Sequence, residues 1–159
     1  MIIRILVIVG MLVMLLIGCT SGPTPIEQYK TEQDAIDRYI ETEKIRGTLI
    51  QFNLSDDKRL LLAEYKRYAY FVGELIETEE GFAAVKLTPT LDIGNTDGVI
   101  LDCKTWDGSQ HTMSLFKEKQ NNTPTYIEEL ELYVSIEEKS PDSERSTIGH
   151  DLVQSYEVM

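Results

Sequence analysis

Val99-Ile100-Leu101-Asp102-Cys103-Lys104-Thr105-Trp106-Asp107-Gly108-Ser109-Gln110-His111-Thr112-Met113-Ser114-Leu115 decides how the body of this chain is read. Asp107-Gly108 is a turn signal between two alternating runs, so the stretch reads as a β-hairpin whose loop length sets which side chains share a face. A two-residue turn sets Leu101 against Ser114 and Cys103 against Thr112, apolar against polar. A three-residue loop, Trp106 to Gly108, pairs Val99 with Leu115, Leu101 with Met113 and Cys103 with His111. A slip of one residue turns every side chain to the other face. The register that keeps one face apolar is therefore the expected one.

The period of two extends in both directions from this hairpin. Upstream, Thr48, Ile50, Phe52 and Leu54 alternate with Gln51 and Asn53, and Ser55-Asp56-Asp57-Lys58 is a turn. Arg59 to Glu77 reads as strand throughout, but a single strand of that length reaches roughly 60 Å, too long for one domain. The expected break is near Lys66-Arg67. Glu79-Glu80-Gly81 separates two further strand-like runs. A three-residue loop there pairs Thr78 with Phe82 and Leu75 with Val85, and sets Glu74 opposite Lys86 as a favourable cross-strand pair. Downstream, Asn121 to Pro124 is a loop. Glu128 to Ile136 alternates Leu130, Leu132, Val134 and Ile136 against Glu129, Glu131 and Ser135. Ser140 to Ser146 is a polar loop. Thr147 to Val158 has the apolar residues to dock, as a last strand or as a tail. Only one segment carries helical spacing. Ala35, Ile36, Tyr39 and Ile40 form a stripe within Thr31–Lys44, with Thr31-Glu32-Gln33-Asp34 placed as a capping box. The expected fold is α+β, one N-terminal amphipathic helix packed on an antiparallel β-meander of about seven strands.

Ahead of this body stands Met1-Ile-Ile-Arg-Ile-Leu-Val-Ile-Val-Gly-Met-Leu-Val-Met-Leu-Leu-Ile-Gly-Cys19. Arg4 is a short positive region and Ile5–Ile17 is an apolar run interrupted only by Gly10. The run is shorter than the roughly 20 residues of a comfortable membrane span and has the length of a signal-peptide core. Leu16-Ile17-Gly18-Cys19 resembles the lipobox of bacterial prolipoproteins, and Thr20-Ser21-Gly22-Pro23 follows it at once. That resemblance implies diacylglyceryl transfer to the Cys19 thiol and cleavage after Gly18. Two acyl chains anchor stably where one binds a bilayer only marginally. Together with the order of helix, meander and acidic turns, the motif resembles the small lipoproteins of Bacillus-type Gram-positive bacteria, most of which have no assigned activity. The resemblance carries over export and lipidation and no active-site residue. It divides the chain into a cleaved leader at 1–18, a lipidated cysteine with a flexible tether at 19–28, and a single extracytoplasmic domain at 29–159.

Charge narrows the partners. Removing Arg4 with the leader takes the formal net charge from −12 to −13. Such a body is repelled by nucleic acid, anionic headgroups and anionic wall polymers. Basic proteins, cationic peptides and metal cations remain. Once Cys19 carries lipid, Cys103 is the only other cysteine and no intrachain disulfide can form.

Few residues suggest chemistry. Cys103 and His111, adjacent in the preferred register, have the residue types of an activated thiolate. Their strand neighbours are apolar, which raises a thiol pKa, and no third orienting residue can be named. Asp92, Asn95 and Asp97 lie in an Asp-Gly loop that fails EF-hand spacing, because Ile93 and Lys104 fall where carboxylates are required. The carboxylates Glu41, Glu43, Glu77, Glu79 and Glu80 read as solvated surface charge. The two histidines, His111 and His150, have no zinc-site spacing. No catalytic residue, metal site or cofactor is therefore expected. Tyr65, Arg67, Tyr68 and Tyr70 form the expected binding patch, since tyrosine and arginine are enriched at binding hot spots. The resulting expectation is a lipid-anchored, non-enzymatic protein on the extracytoplasmic face of the cell membrane. It binds a protein or peptide of the envelope and no nucleic acid. The alternatives are a small envelope hydrolase and an immunity-type lipoprotein that intercepts a cationic peptide.

Overall fold

The computed structural model describes residues 26–120, 124–139 and 151–159. Cys19 and the lipobox, His150 and the loop at 140–146 lie outside the described residues. Among the described residues one helix, α1 (Glu32–Glu43), precedes ten strands: β1 (Leu49–Leu54), β2 (Arg59–Lys66), β3 (Ala69–Thr78), β4 (Gly81–Lys86), β5 (Leu91–Asp92), β6 (Gly98–Lys104), β7 (Gln110–Phe116), β8 (Thr125–Ile127), β9 (Leu132–Glu138) and β10 (Val153–Val158). All pairings are antiparallel. Sheet A runs β10-β1-β2-β3-β4 with β5 also on β3, and sheet B runs β6-β7-β9-β8. Among the described residues no helix is long and apolar enough to cross a membrane.

The α+β class holds, with corrections. The helix lies at 32–43 rather than at the chain's N-terminus. There are ten strands rather than about seven, divided between two sheets rather than joined in one meander. Two of the extra strands, β5 and β8, have two and three residues, too few to show a period. The third, β10, follows the polar loop and pairs with β1 from Ile50↔Val158 to Leu54↔Val153. The long alternating run also starts later than expected. Glu128–Leu130 is a 3-10 turn ending at Glu131 in the left-handed region (φ 53°), and the strand begins at Leu132. Leu130 still reaches the core from that turn.

Three layers result. The inner faces of both sheets meet in one core: Ile50, Phe52, Leu60, Leu62 and Val72 from sheet A against Leu101, Met113, Leu115, Val134 and Ile136 from sheet B. The other face of sheet A, with Leu49, Leu61, Ala63, Phe71 and Leu75, is covered by Ala35, Ile36 and Tyr39 of α1. This explains why Leu60-Leu61-Leu62-Ala63 is apolar without interruption: both sides of the strand are buried. The helix begins where its sequence demands, with Thr31 Oγ1 accepting from the Asp34 amide at 3.1 Å. It ends at Lys44, whose φ of 55° closes the last turn.

The hairpin at 99–115 has the expected register, with Val99↔Leu115, Leu101↔Met113 and Cys103↔His111. The hairpin at 73–86 does not. Thr78 pairs with Gly81, Glu74 with Val85 and Gly73 with Lys86, so the loop is the two residues Glu79-Glu80. The cause lies outside the hairpin. Tyr29 bridges to Phe82 through two backbone bonds of 2.7 and 2.8 Å, which draws the residues before α1 onto the start of β4. Gly81, at φ 141°, lies so close to the Tyr29 carbonyl that a Cβ could not fit. The slip sends Lys86 to the helix side, 3.2 Å from Glu43 and over the Phe71 ring. Glu74, on the other side of β3, faces inward between the sheets, opposite Val85 rather than Lys86.

Gly81→Ala is expected to lower the unfolding free energy by about 1–3 kcal/mol, measured by urea denaturation. Glu80→Ala in the same loop should change it by less than about 0.5 kcal/mol.

Candidate functional site

A polar cluster forms around inward-facing Glu74 at one end of the sandwich. The β1–β2 turn supplies Asp56 and Lys58, β3 supplies Glu74, and the β6–β7 hairpin supplies Cys103, the Thr105–Ser109 turn and His111. Glu74 is 4% exposed, and its Oε2 accepts from the Trp106 amide at 2.7 Å. Burial pushes its carboxyl pKa up, while the Trp106 hydrogen bond and then Lys58 oppose the shift. Lys58 forms an ion pair with Asp107. Asp107 also accepts from Thr105 Oγ1 at 2.7 Å and the Ser109 amide at 3.1 Å, and these donors hold its pKa below the usual carboxylate range. His111 is fully buried. Its Nε2 donates to Asp56 Oδ2 at 2.9 Å, and its Nδ1 has no partner among the described residues.

This cluster ties sheet A to sheet B. Each of its three cross-connections runs from β1–β3 to β6–β7: Asp56 to His111, Lys58 to Asp107, and Glu74 to Trp106. Cys103 sits opposite His111, yet the only imidazole bond goes to Asp56 and Nδ1 is unpaired, so thiol and imidazole are not joined. Burial first, then the nearby Glu74 carboxylate, pushes the Cys103 thiol up to about 12. A thiol in that state is a core side chain with almost no thiolate at neutral pH.

The expected tyrosine patch is dispersed by the strand period. Tyr70 is buried between the sheets, and Tyr65 packs toward the helix layer. Arg67 and Tyr68 remain at the surface of the β2–β3 turn, where Tyr68 adopts φ 66°. The Arg67 guanidinium lies 4.9 Å from the Tyr68 ring centre and Lys117 Nζ lies 5.6 Å from it. In the Asp92–Gly98 loop, Asp92 Oδ1 caps the Gly94 amide at 2.8 Å, and Ile93 anchors in the core. Among the described residues no group of three metal-ligating side chains converges. Between α1 and β4 lies a cleft of about 340 Å³. The cations on its walls already have acidic partners, Arg38 with Glu41 and Lys86 with Glu43.

The surface that sequence reasoning missed is the outer face of sheet B. Nothing covers it among the described residues, and it is not polar throughout. Gly98, Phe116, Tyr133 and Tyr126 form one row across all four strands, and Ile100, Ser114 and Ser135 form the next. Ile100 is 59% exposed and Tyr126 47%. The rings of Tyr126 and Tyr133 lie 4.9 Å apart, and Phe116 lies over Gly98, where a side chain would collide with its ring. The signal was present in the outward positions Tyr133, Phe116 and Ile100, which in a solvated sheet face are ordinarily polar. No protein-family model, characterised protein or solved structure matches this chain.

Two outcomes are expected from the cluster. The Glu74 pKa is raised in the folded state, so its ionisation opposes folding above that pKa, and the cost fades as pH falls to the ordinary glutamate range. Wild type should therefore gain stability relative to Glu74→Gln as the pH of urea unfolding is lowered from 7 to 4. Cys103 in the folded chain should react slowly with iodoacetamide and fast in urea. Fast folded-state labelling that His111→Ala abolishes would instead identify a nucleophilic pair.

Proposed function

We propose that this chain is a lipid-anchored binding protein of the bacterial envelope, held by a diacylglyceryl group on Cys19 at the extracytoplasmic face of the cell membrane. In this reading it belongs with the small lipoproteins of Bacillus-type bacteria and acts by docking a protein or peptide of the envelope. The anchor rests on Leu16-Ile17-Gly18-Cys19 at the end of an apolar run. The docking role rests on one observation: an aromatic row, Phe116–Tyr133–Tyr126, across the bare outer face of sheet B. Contiguous apolar surface left open to solvent marks interaction sites, and tyrosine combines contact area with low ordering cost. The hydrolase alternative has no comparable support, since Cys103 is buried with a raised pKa.

Labelling cells with an alkyne fatty acid should tag wild type and leave Cys19→Ala untagged and uncleaved. Mass spectrometry of the mature wild-type protein showing an unmodified Cys19 thiol refutes the anchor. Docking is tested with a benzoylphenylalanine photo-crosslinker in place of Ser114, on the bare face, and separately in place of Glu41, on the exposed side of α1. Irradiated cells should yield an adduct from the first position and none from the second.

A further inference from the structure

The chemistry around the aromatic row identifies the kind of partner. Tyr126 and Tyr133 flank a turn that carries Glu128, Glu129 and Glu131, all exposed, and the face continues to Glu137 near the end of β9. None of these four carboxylates has an ion-pair partner among the described residues. The pairs formed nearby use other groups: Asp102 is taken by Lys139 at 2.5 Å, and Lys117 turns away to the Gly94 carbonyl and the Tyr68 ring. Two nearby cations, Lys104 at the end of β6 and Lys119 beyond the end of β7, are exposed and have no ion pair among the described residues, against four such carboxylates. The patch is thus apolar at its centre and negative at its rim, on a body already strongly acidic.

That charge discriminates among occupants. A second copy of the chain would bring like-charged rims together, and like-charge juxtaposition opposes association. An anionic bilayer surface is repelled in the same way. Resting on the docking reading above, we propose that the outer face of sheet B takes a basic peptide segment, with lysine or arginine paired to Glu128, Glu129, Glu131 and Glu137 and with aromatic or aliphatic side chains laid on Ile100, Phe116, Tyr133 and Tyr126. Cations over the tyrosine rings add a cation–π contribution that acidic peptides cannot supply.

The test uses the full chain in a neutral detergent with benzoylphenylalanine replacing Ser114. The probe is a biotinylated Lys-Tyr-Lys-Tyr-Lys-Tyr-Lys peptide, compared with the same peptide carrying glutamate for lysine. The basic peptide should crosslink and the acidic one should not. Raising salt from about 50 mM to about 500 mM should reduce the yield about tenfold. Tyr126→Ser with Tyr133→Ser, and separately Glu129→Gln with Glu131→Gln, should each reduce it about tenfold. Tyr126, Glu129 and Glu131 are exposed and Tyr133 is half-buried on the outer face, outside both cores, so circular dichroism should be unchanged. Equal crosslinking of the acidic peptide, insensitivity to salt, or full yield in the variants overturns the proposal. An adduct between two copies of the chain overturns it in favour of self-association. If no peptide crosslinks while the same position traps an envelope component in cells, the basic partner is refuted and the docking surface stands. If neither occurs, both are refuted.

Discussion

The central strands β1–β3 of sheet A are buried on both faces, and the rest of the structure is arranged around that constraint. Its strands carry apolar residues at consecutive positions, as in Leu60-Leu61-Leu62-Ala63, so neither face can be left to water. One face takes α1 and the other takes sheet B. A single helix covers only part of a sheet, so the larger remaining area requires a second sheet. The chain makes that sheet from β6, β7 and β9, with β8 as a short edge. Sheet B is then the outermost layer, with one face committed to the core and the other uncovered.

Bringing two sheets together leaves the problem of their ends, where turns carry polar groups. Here the β1–β2 turn and the β6–β7 turn meet, and the polar groups satisfy one another across the gap. A buried carboxylate is costly unless charge and hydrogen bonds compensate it. Glu74 has both, in Lys58 nearby and in the Trp106 amide. The compensation is partial, because its pKa remains raised. The cluster therefore serves orientation more than stability: a buried ion is tolerated only where its partners sit, which fixes how the hairpin at 99–115 docks on β3.

Local signals in the sequence were read correctly where the deciding contact was also local. The cap at Thr31, the break between Lys66 and Ala69, and the register of Cys103 against His111 each depend on residues within about one turn or hairpin. Errors arose where a distant segment decided. The Glu79-Glu80 loop is set by Tyr29 pairing with Phe82, a contact spanning more than fifty residues of chain. The His111–Asp56 bond spans 55 residues and has no signature in either neighbourhood. For the tyrosines at 65–70, proximity in sequence is not proximity in space. On consecutive strands of a sheet buried on both sides, Tyr65 and Tyr70 lie on opposite faces.

The same alternation separates fold from recognition in sheet B. Along β7, His111, Met113 and Leu115 point inward and hold the sandwich, while Thr112, Ser114 and Phe116 point outward. Along β9, Leu132, Val134 and Ile136 do the first task, and Tyr133 and Ser135 are free for the second. Inner residues are constrained by volume and packing. Outer residues are not, and substitutions there ordinarily move stability by less than about 0.5 kcal/mol. Water gives a domain no reason to keep Ile100, Phe116, Tyr133 and Tyr126 together on a face that folding does not need to cover. Their clustering, with unpaired carboxylates at the rim, is therefore better explained by a partner than by the fold.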